Sequence, residues 1–353
     1  MAAGRAAEQG SRVLLLEKMG RVGVKLSLTG KGRCNLTNGG DLPTFIASFR
    51  HNGKFLYNVF SRFFNDDLIS FFTSRGLSVI EERGRRIFPA SSRAQDVVRI
   101  LRGYAHSQGA VTQIHSPVRE ILAEDQQIIG VRTDSGAFET PKVILATGGA
   151  SYPQTGSSGD GFRMAEKLGH TIQRIRHALV PLEIEESYVR ELQGLGLKNV
   201  KVTLLADGRK AGEEFGEMLF THFGVSGPII LTLSGLAVDR LSSARVDLSI
   251  DFKPALSPEQ VESRLIREFQ RHRQKRILNI LPYLLPRRLV PIFIQRTGIS
   301  PGVKGDEVPS AARKRLLHLL KDWRLTVKSS RPLDEAIITA GGIHGTVVGI
   351  EEK

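Results

Sequence analysis

The apolar residues at the start of the chain are spaced as a helix followed by a short strand. Residues 1–10 hold four alanines before Gly10, and alanine favours helix whereas glycine favours the left-handed residue that ends one. Val13–Leu16 is then an unbroken apolar run, which predicts a strand buried on both faces and ending at Glu17. A helix, a tight turn and a buried strand in this order form the second half of a βαβ unit.

Helix-like and strand-like segments alternate through the rest of the first half. Residues 20–40 are rich in Gly, Asn and Thr and predict a loop. The segments that predict helices are 54–61, 65–76 with Asn65 as its cap, and a helix to about Gln108 that begins at a Ser92–Gln95 capping box; those that predict strands are 77–80, 111–114, 118–122, 128–133 and 143–146, with a hairpin turn at 134–136.

The second half of the chain reads as strands interrupted by one helical block. Val200–Leu205 and Val246–Ile250 alternate apolar and polar residues, as half-buried strands do. Ser257, Pro258 and Gln260 then match the start of a helix, because serine caps the helix, proline suits its first position and glutamine closes a capping box. Strand-like sequence returns at 325–327 and 336–339, so the helices of residues 257–323 are predicted to be inserted into a smaller β domain.

Composition narrows the class of protein. Apolar residues make up 41% and charged residues 24%, as in a folded globular chain. The single cysteine, Cys34, excludes an internal disulfide and favours a reducing, cytoplasmic location. The most apolar stretch, residues 277–294, contains three prolines and two arginines and is too interrupted to span a bilayer, so no membrane partner is expected. The net charge of +14 favours anionic partners, although many proteins are basic for solubility alone.

Two early segments carry candidate binding chemistry. Glu17 follows a strand, where a carboxylate can accept hydrogen bonds from a ribose; the alternative is a solvated Glu–Lys pair. The segment 25–38, KLSLTGKGRCNLTN, combines glycines, cations and amide side chains and favours a ligand loop over a flexible surface loop. Cys34 could be a redox thiol, but without a second cysteine a small residue packed beside the ligand is the preferred interpretation.

Two later glycine-rich turns could face the same ligand. Residues 143–149 place Thr-Gly-Gly after an apolar run, and residues 155–161, TGSSGDG, precede a helix with Asp160 as an alternative cap. Each turn alone also fits an ordinary loop. The histidines show no metal-binding spacing, and no catalytic residue stands out. The basic run RHRQKR at 271–276 fits a solvated helix face better than a nucleic-acid site, because only Phe269 is an aromatic neighbour.

These motifs together resemble those of the BaiN-like flavoproteins, also described as aminoacetone-oxidase-type FAD-dependent oxidoreductases. The resemblance runs along nearly the whole chain. It implies an α/β fold, with a glutathione-reductase-like, Rossmann-type FAD-binding domain that carries an inserted β-barrel and a helical subdomain. The matching segments are VLLLEK at 13–18, KLSLTGKGRCNLTN at 25–38, RRIFPASSRAQDVV at 85–98, VILATGGASYPQTGSSGDG at 143–161, LFTHFGVSGP at 219–228 and EAIITAGG at 335–342.

The resemblance assigns roles in FAD binding. Glu17 would bind the adenosine ribose with Lys18 beside it, and Val118 would present its backbone to the adenine. The other implied cofactor-binding residues are Lys25, Gly30, Gly32, Arg33, Cys34 and Asn35 on the pyrophosphate and flavin side, Ala146, Thr147, Gly148 and Gly149 near the ADP portion, and Gly156, Gly159, Asp160 and Gly161 near the flavin.

The resemblance also implies a domain division. The FAD-binding domain would comprise 1–178 and 335–353, the barrel 179–255 and 324–334, and the helical insert 256–323. In the family a GxGxxG turn precedes the first helix and a Gly-Asp segment follows the last strand, so the FAD domain of this sequence is expected to be incomplete at both ends.

The expected function is FAD-dependent oxidation or reduction of a small organic substrate by hydride transfer, with NAD(P)H as the electron donor. One alternative is a non-catalytic remnant that holds no flavin. Another is a basic nucleic-acid-binding protein that uses the helical insert, although nucleic acid is the less favoured partner. The substrate and the oligomeric state stay open at this stage.

Overall fold

The computed structural model describes residues 1–49 and 53–345. They form two compact units: the first comprises Met1–Gly148 and Pro153–His170, and the second comprises Gly149–Tyr152 and the chain from Thr171 onward. The predicted division into three domains stays a prediction, and its last residues, 346–353, lie outside the described residues.

The first unit contains short helices and strands in alternation. Its elements are α1 Ala2–Glu8, β1 Leu14–Leu16, α2 Val24–Gly32, β2 Thr37–Asn38, α3 Leu42–Ala47, α4 Tyr57–Phe60, α5 Asn65–Thr73, β3 Val79–Glu82, β4 Arg86–Pro89, α6 Ala94–Ser107, β5 Val111–Gln113, β6 Val118–Glu124, β7 Gln127–Thr133, β8 Gly136–Glu139 and α7 Asp160–Lys167.

Helix α1 ends as its sequence predicts. Gly10 has a positive φ of 83°, and the amides of Gly10 and Ser11 donate to the carbonyls of Ala7 and Ala6. This is the paired hydrogen-bond pattern of a glycine-terminated helix, which turns the chain directly into the following strand.

Strand β1 lies parallel to β5, with Leu14 opposite Val111. These two side chains are 39% and 63% exposed, so the prediction of a strand buried on both faces is wrong. Within the described residues β1 is hydrogen-bonded to β5 alone, so the two strands form a separate two-stranded sheet.

The predicted strand at 143–146 is also wrong. Val143 and Leu145 are half-buried against Ile121, Val131 and Met164, while Ile144 is 64% exposed, so burial alternates as in a strand. The segment nevertheless forms no ladder with any strand of the described chain. Alternating burial of side chains is therefore not enough to form a strand here, because a strand also needs backbone hydrogen bonds to a neighbouring strand.

Three local predictions in this unit need correction. The predicted loop 20–40 contains α2, which kinks where Gly30 and Lys31 take positive φ angles, and the short strand β2. The helix α6 is preceded by Arg93 without a side-chain cap, so the predicted Ser92–Gln95 box does not form. Asn65 begins α5 rather than capping it, and its amide instead donates to the carbonyls of Asn38 and Gly40.

The remaining sheets of the first unit are antiparallel. Strand β4 lies between β2 and β3, and β7 lies between β6 and β8. The predicted turn at 134–136 is confirmed, since Thr133 pairs with Gly136 across the hairpin of β7 and β8.

The second unit is dominated by a β-barrel. Its elements are β9 Ile172–Ala178, β10 Leu182–Ile184, β11 Gly196–Ala206, β12 Arg209–Phe220, β13 Gly224–Ser226, α8 Pro228–Arg240, β14 Val246–Asp251, α9 Pro258–Arg271, α10 Ile277–Ile280, α11 Val290–Thr297, α12 Ser310–Lys321, β15 Trp323–Ser330 and β16 Ile338–Ile343.

The barrel closes in the order β10-β13-β12-β11-β14-β15, and β9 pairs with β16 in a separate two-stranded sheet. Helices α9 to α12 lie between β14 and β15 in the chain, and they begin at the predicted capping box, in which Gln260 N donates to Ser257 Oγ and Ser257 N donates to Gln260 Oε1. The barrel and these helices share one apolar core, in which the fully buried Trp323 contacts Phe252 and Phe293.

Candidate functional site

Glu17 lies at the carboxyl end of β1, where hydrogen bonds of its backbone fix its position. Its amide donates to Gln113 O and its carbonyl accepts from Ser116 N, each at 2.9 Å. The side-chain Oε1 accepts from Met19 N at 2.9 Å, and no described residue is bonded to Oε2. The carboxylate is thus fixed in direction with one oxygen left for a hydroxyl donor.

Lys18 joins two segments that are far apart in the sequence. Its Nζ donates to Ser158 Oγ at 2.6 Å and to Asp160 Oδ2 at 2.5 Å, and Asp160 is also paired with Arg163. Partial burial acts to raise the pKa of Asp160, but the hydrogen bonds from Lys18 and Ser158 outweigh it and keep the pKa of this carboxyl below its ordinary value. The Asp160 carboxylate therefore favours its charged form, and its bond to Lys18 ties the 155–161 turn to the end of β1.

Three glycines lie where a side chain would collide with a neighbour. A Cβ on Gly161 would meet Thr147 Oγ1 at 2.2 Å, one on Gly148 would meet Ser157 Oγ at 3.0 Å, and one on Gly156 would meet the Met19 side chain at 3.1 Å. Gly148 and Gly156 also have φ of +76° and +100°, which side-chain-bearing residues rarely adopt. These contacts bring the 147–148 and 156–161 turns together with residues 17–19.

The start of α7 differs from its prediction. Gly159, with φ of +77°, is the N-cap, so Asp160 occupies the first helical position instead of capping the helix. An acidic residue there still interacts favourably with the helix dipole.

The 25–35 segment packs against a different part of the first unit. A Cβ on Gly30 would lie 2.9 Å from Asn35 N, which fixes the bend between them. Arg33 donates to Glu82 at 2.7 Å and its guanidinium lies 4.1 Å from the centre of the Phe88 ring. Burial lowers the pKa of Lys25. Gly32 lies at the end of α2 with a φ of +83°.

Cys34 and Asn35 are structural within this segment. Cys34 is 1% exposed among Phe72, Leu77 and Val97, and burial raises the pKa of its thiol, which disfavours the reactive thiolate. The Asn35 amide nitrogen donates to the carbonyls of Thr37 and Ile87, so it holds β2 against β4.

The remaining predicted residues are spread over both units. Val118 lies in β6 opposite Thr133 and shares an apolar cluster with Leu16 and Leu145. Ala146 is exposed just before the Thr147–Gly148 turn. Gly149 belongs to the second unit, where a Cβ would meet Thr339 Oγ1 at 2.5 Å.

The structure thus brings Glu17, Lys18, Thr147, Gly148, Gly156, Asp160 and Gly161 into one region of the first unit. Met19 and Ser158 belong to the same region and were missed, because an apolar side chain and a serine in a turn give no signal in the sequence. Their partners lie about 140 residues away. Across residues 1–49 and 53–345 no group of side chains could hold a metal ion, and no helix is both long and apolar enough to cross a membrane.

Comparisons with known proteins cover nearly the whole chain. The family described as "HI0933-like protein Rossmann domain" matches residues 1–351. A "3-dehydro-bile acid delta(4,6)-reductase" of Clostridium scindens is 28% identical over 338 residues, which are 95% of this chain and 81% of that protein. A "ribosomal RNA dihydrouridine synthase" of Escherichia coli is 29% identical over 339 residues, which are 96% of this chain and 81% of that protein.

Solved structures give weaker similarities. A flavocytochrome c3 fumarate reductase matches with a TM-score of 0.37 and 15% identity, covering 98% of this chain and 65% of that one. A 3-ketosteroid-delta4-(5alpha)-dehydrogenase of Rhodococcus jostii matches with a TM-score of 0.40 and 13% identity, covering 97% of this chain and 81% of that one.

The family match and the barrel confirm the predicted fold class, a Rossmann-type FAD-binding fold with a β-barrel. They also confirm the resemblance to a flavoprotein oxidoreductase family that the sequence motifs indicate. Because the family pattern extends over residues 1–351, the chain belongs to the HI0933-like family of FAD-dependent oxidoreductases.

Proposed function

We propose that this chain binds FAD through its first unit and acts as a reductase that transfers hydride from NAD(P)H to a small organic substrate. The observation that carries the proposal is the convergence of Glu17, Lys18 and the glycine turns at 147–148 and 156–161 in one region. Such turns, from distant parts of a chain, allow close backbone approach to an elongated dinucleotide.

The residues present fit the adenosine end of FAD. The Glu17 carboxylate is oriented by Met19 N and offers its second oxygen to a ribose hydroxyl, as acidic residues at strand ends do in dinucleotide-binding folds. The positive φ angles of Gly148 and Gly156 expose their peptide groups without a side chain in the way. Val118 and Ala146, which also lie in the first unit, complete the adenosine and ADP contacts in this proposal.

The pyrophosphate and flavin contacts are assigned to Lys25, Gly30, Gly32 and Arg33, and Cys34 and Asn35 support this segment from within the fold. Lys25 and Arg33 supply the positive charge for this role, and Arg33 also donates to Glu82. Cys34 has no redox role in this proposal, because its side chain is buried and burial raises the pKa of its thiol. The Lys18–Asp160 pair and Gly159 position the turn that would face the flavin.

The names of the relatives support reduction as the proposed direction of the reaction. A delta(4,6)-reductase and a dihydrouridine synthase are both named for adding hydrogen to a substrate, so reduction is favoured over oxidation. When bound, FAD would supply the hydride chemistry and the protein would orient it and the substrate. The location proposed for this activity is the cytoplasm, in keeping with the single buried cysteine.

Flavin uptake by the purified full chain tests the proposal. The chain is incubated with excess FAD, free FAD is removed, and the visible spectrum is recorded before and after anaerobic addition of NADH or NADPH. Retained flavin absorbance that is bleached by one nucleotide is expected. A chain that is folded by circular dichroism but retains no flavin would instead support the non-catalytic alternative.

A further inference from the structure

The helical region between β14 and β15 carries more than half of the chain's excess positive charge. Residues 256–323 contain 14 Lys and Arg against 6 Asp and Glu, a net charge of +8 within a total of +14. The FAD-binding residues proposed above do not include any of these cations. The charge therefore calls for a separate physical explanation.

Part of this charge is concentrated around one exposed aromatic ring. Tyr283, 51% exposed, stacks on His272 with ring centres 4.7 Å apart and planes 12° apart. Lys275 Nζ lies 5.5 Å from the centre of the Tyr283 ring and 3.3 Å from its hydroxyl. The sequence had offered only Phe269 as an aromatic neighbour of the basic run, and Phe269 is buried at 4% exposure.

Lys304 is brought to the same place by a backbone bridge to Arg276, and its Nζ donates to Gln274 at 3.2 Å. We call residues 271–276, Tyr283 and Lys304 the insert patch. Its five cations, Arg271, Arg273, Lys275, Arg276 and Lys304, are all exposed.

The carboxylates near the insert patch contact amide and imidazole groups of the patch and not the side chains of its five cations. Asp306 accepts from the Gln274 amide, Glu307 accepts from the backbone amide of Lys304, and Glu268 lies 3.9 Å from His272. Among the described residues, none of the five cations forms a salt bridge with a carboxylate. Their charge is thus available to an external anion.

We propose that the insert patch binds single-stranded RNA. Five uncompensated cations suit a row of phosphates, and counterion release makes such contacts favourable. A half-exposed tyrosine that is already stacked on one side is a platform for an unpaired base, whereas the bases of a duplex stay stacked inside it and gain nothing from the ring. The patch lies wholly in the second unit, so this inference goes beyond the proposed flavin reaction and does not depend on it.

The test measures binding of the full chain to a labelled single-stranded RNA by fluorescence anisotropy over a range of salt concentrations. The RNA is about 20 nucleotides long, so that it spans several stacking sites. The variant R271Q/R273Q/R276Q is expected to lower the slope of log Kd against log salt by about 2, because each of the three lost phosphate contacts contributes roughly 0.7 to that slope. The matched control R174Q/K198Q/R209Q removes three exposed, unpaired cations elsewhere in the second unit and should keep the slope.

Substitution of Tyr283 separates stacking from charge. Tyr283→Leu should weaken RNA binding about tenfold without changing the salt slope, and Tyr283→Phe should restore it. Loss of binding equal in the control and patch variants, or equal affinity for duplex RNA with no effect of Tyr283→Leu, would overturn the proposal. Tighter binding to vesicles of anionic phospholipid than to RNA would overturn it in favour of a membrane surface. Flavin content is recorded for every variant, so failure of the flavin proposal is read separately.

Discussion

At the scale of single residues, the tightest requirement in the candidate site is at Gly161. A methyl group there would lie 2.2 Å from Thr147 Oγ1, so Gly161→Ala must displace the Thr147 side chain or shift α7. We expect the free energy of unfolding to fall by about 1–3 kcal/mol, as for other overpacked positions. Urea unfolding measures it.

The control is Gly103→Ala in the interior of α6. Nothing lies within 4 Å of the added Cβ, and alanine is the better helix former, so this variant should be stabilised by roughly 0.5–1 kcal/mol. Equal stability of the two variants would show that the 156–161 turn does not pack as described.

Glu17 should control cofactor affinity and not stability. Glu17→Gln keeps the shape of the side chain but removes the charge that strengthens a hydrogen bond from a ribose hydroxyl, so FAD should bind about tenfold more weakly. Quenching of flavin fluorescence on titration measures the affinity. Glu124→Gln, an exposed carboxylate at the end of β6 without a side-chain bond, is the matched control. Unchanged affinity in Glu17→Gln would remove this residue from the proposed site.

The Lys18–Asp160 pair should make the first unit sensitive to acid. Hydrogen bonds from Lys18 and Ser158 hold the pKa of Asp160 below its ordinary value despite burial. A group whose pKa is depressed on folding stabilises the protein above its unfolded pKa, and that contribution is lost as the pH falls through the folded pKa.

Asp160→Asn should therefore be less stable than the natural chain at neutral pH, and the difference should shrink by about pH 3. Urea unfolding at both pH values measures this. A difference that stays constant between them would mean that the Asp160 charge contributes nothing to folding.

At the scale of elements, the backbone of the 143–147 segment should be open to solvent although two of its side chains, Val143 and Leu145, are half-buried. It forms no ladder, whereas β7 is hydrogen-bonded on both sides. Amide protons of residues 143–147 are expected to exchange with deuterium much faster than those of β7. Hydrogen exchange followed by mass spectrometry checks this, and equal protection would indicate a ladder that the structure lacks.

The contrast between Ser257 and Val143 shows what the sequence could predict. The Ser257 box was predicted correctly because all its partners lie within three residues. The Val143 strand was not, because a strand depends on a partner distant in the chain. The helix α2 was missed since its glycines and threonine favour turns, and packing against α6 overrides that preference.

Some features of the candidate site could be predicted from the sequence and others could not. The strand end at Glu17 and the glycine turns were recognisable from composition and position. The Lys18–Ser158–Asp160 connection was not, because no local pattern indicates a contact across about 140 residues. The close approach of Gly149 to Thr339 within the second unit also depends on tertiary structure.

At the scale of the molecule, the two units have unequal cores. The second unit has one continuous apolar cluster that includes barrel and helical residues, whereas the first has three separate small clusters. Limited proteolysis should therefore cut the first unit before the second, because small clusters open at lower cost. Added FAD should slow that first cleavage if it binds there. Simultaneous loss of both units would contradict this order.

The position of Trp323 limits how the helical region can be removed. Strands β14 and β15 are adjacent and antiparallel, with Ile250 opposite Trp323, so a tight hairpin could replace helices α9 to α12 without breaking the barrel's connectivity. Yet Phe293 of α11 lies against Trp323, and Lys321 of α12 forms an ion pair with Asp251. Removing the helices would expose the Trp323 indole and leave the buried Asp251 carboxylate without its lysine partner, so the helical region is separable in topology but not in folding. An engineered barrel without it would first need a smaller, polar residue in place of Trp323.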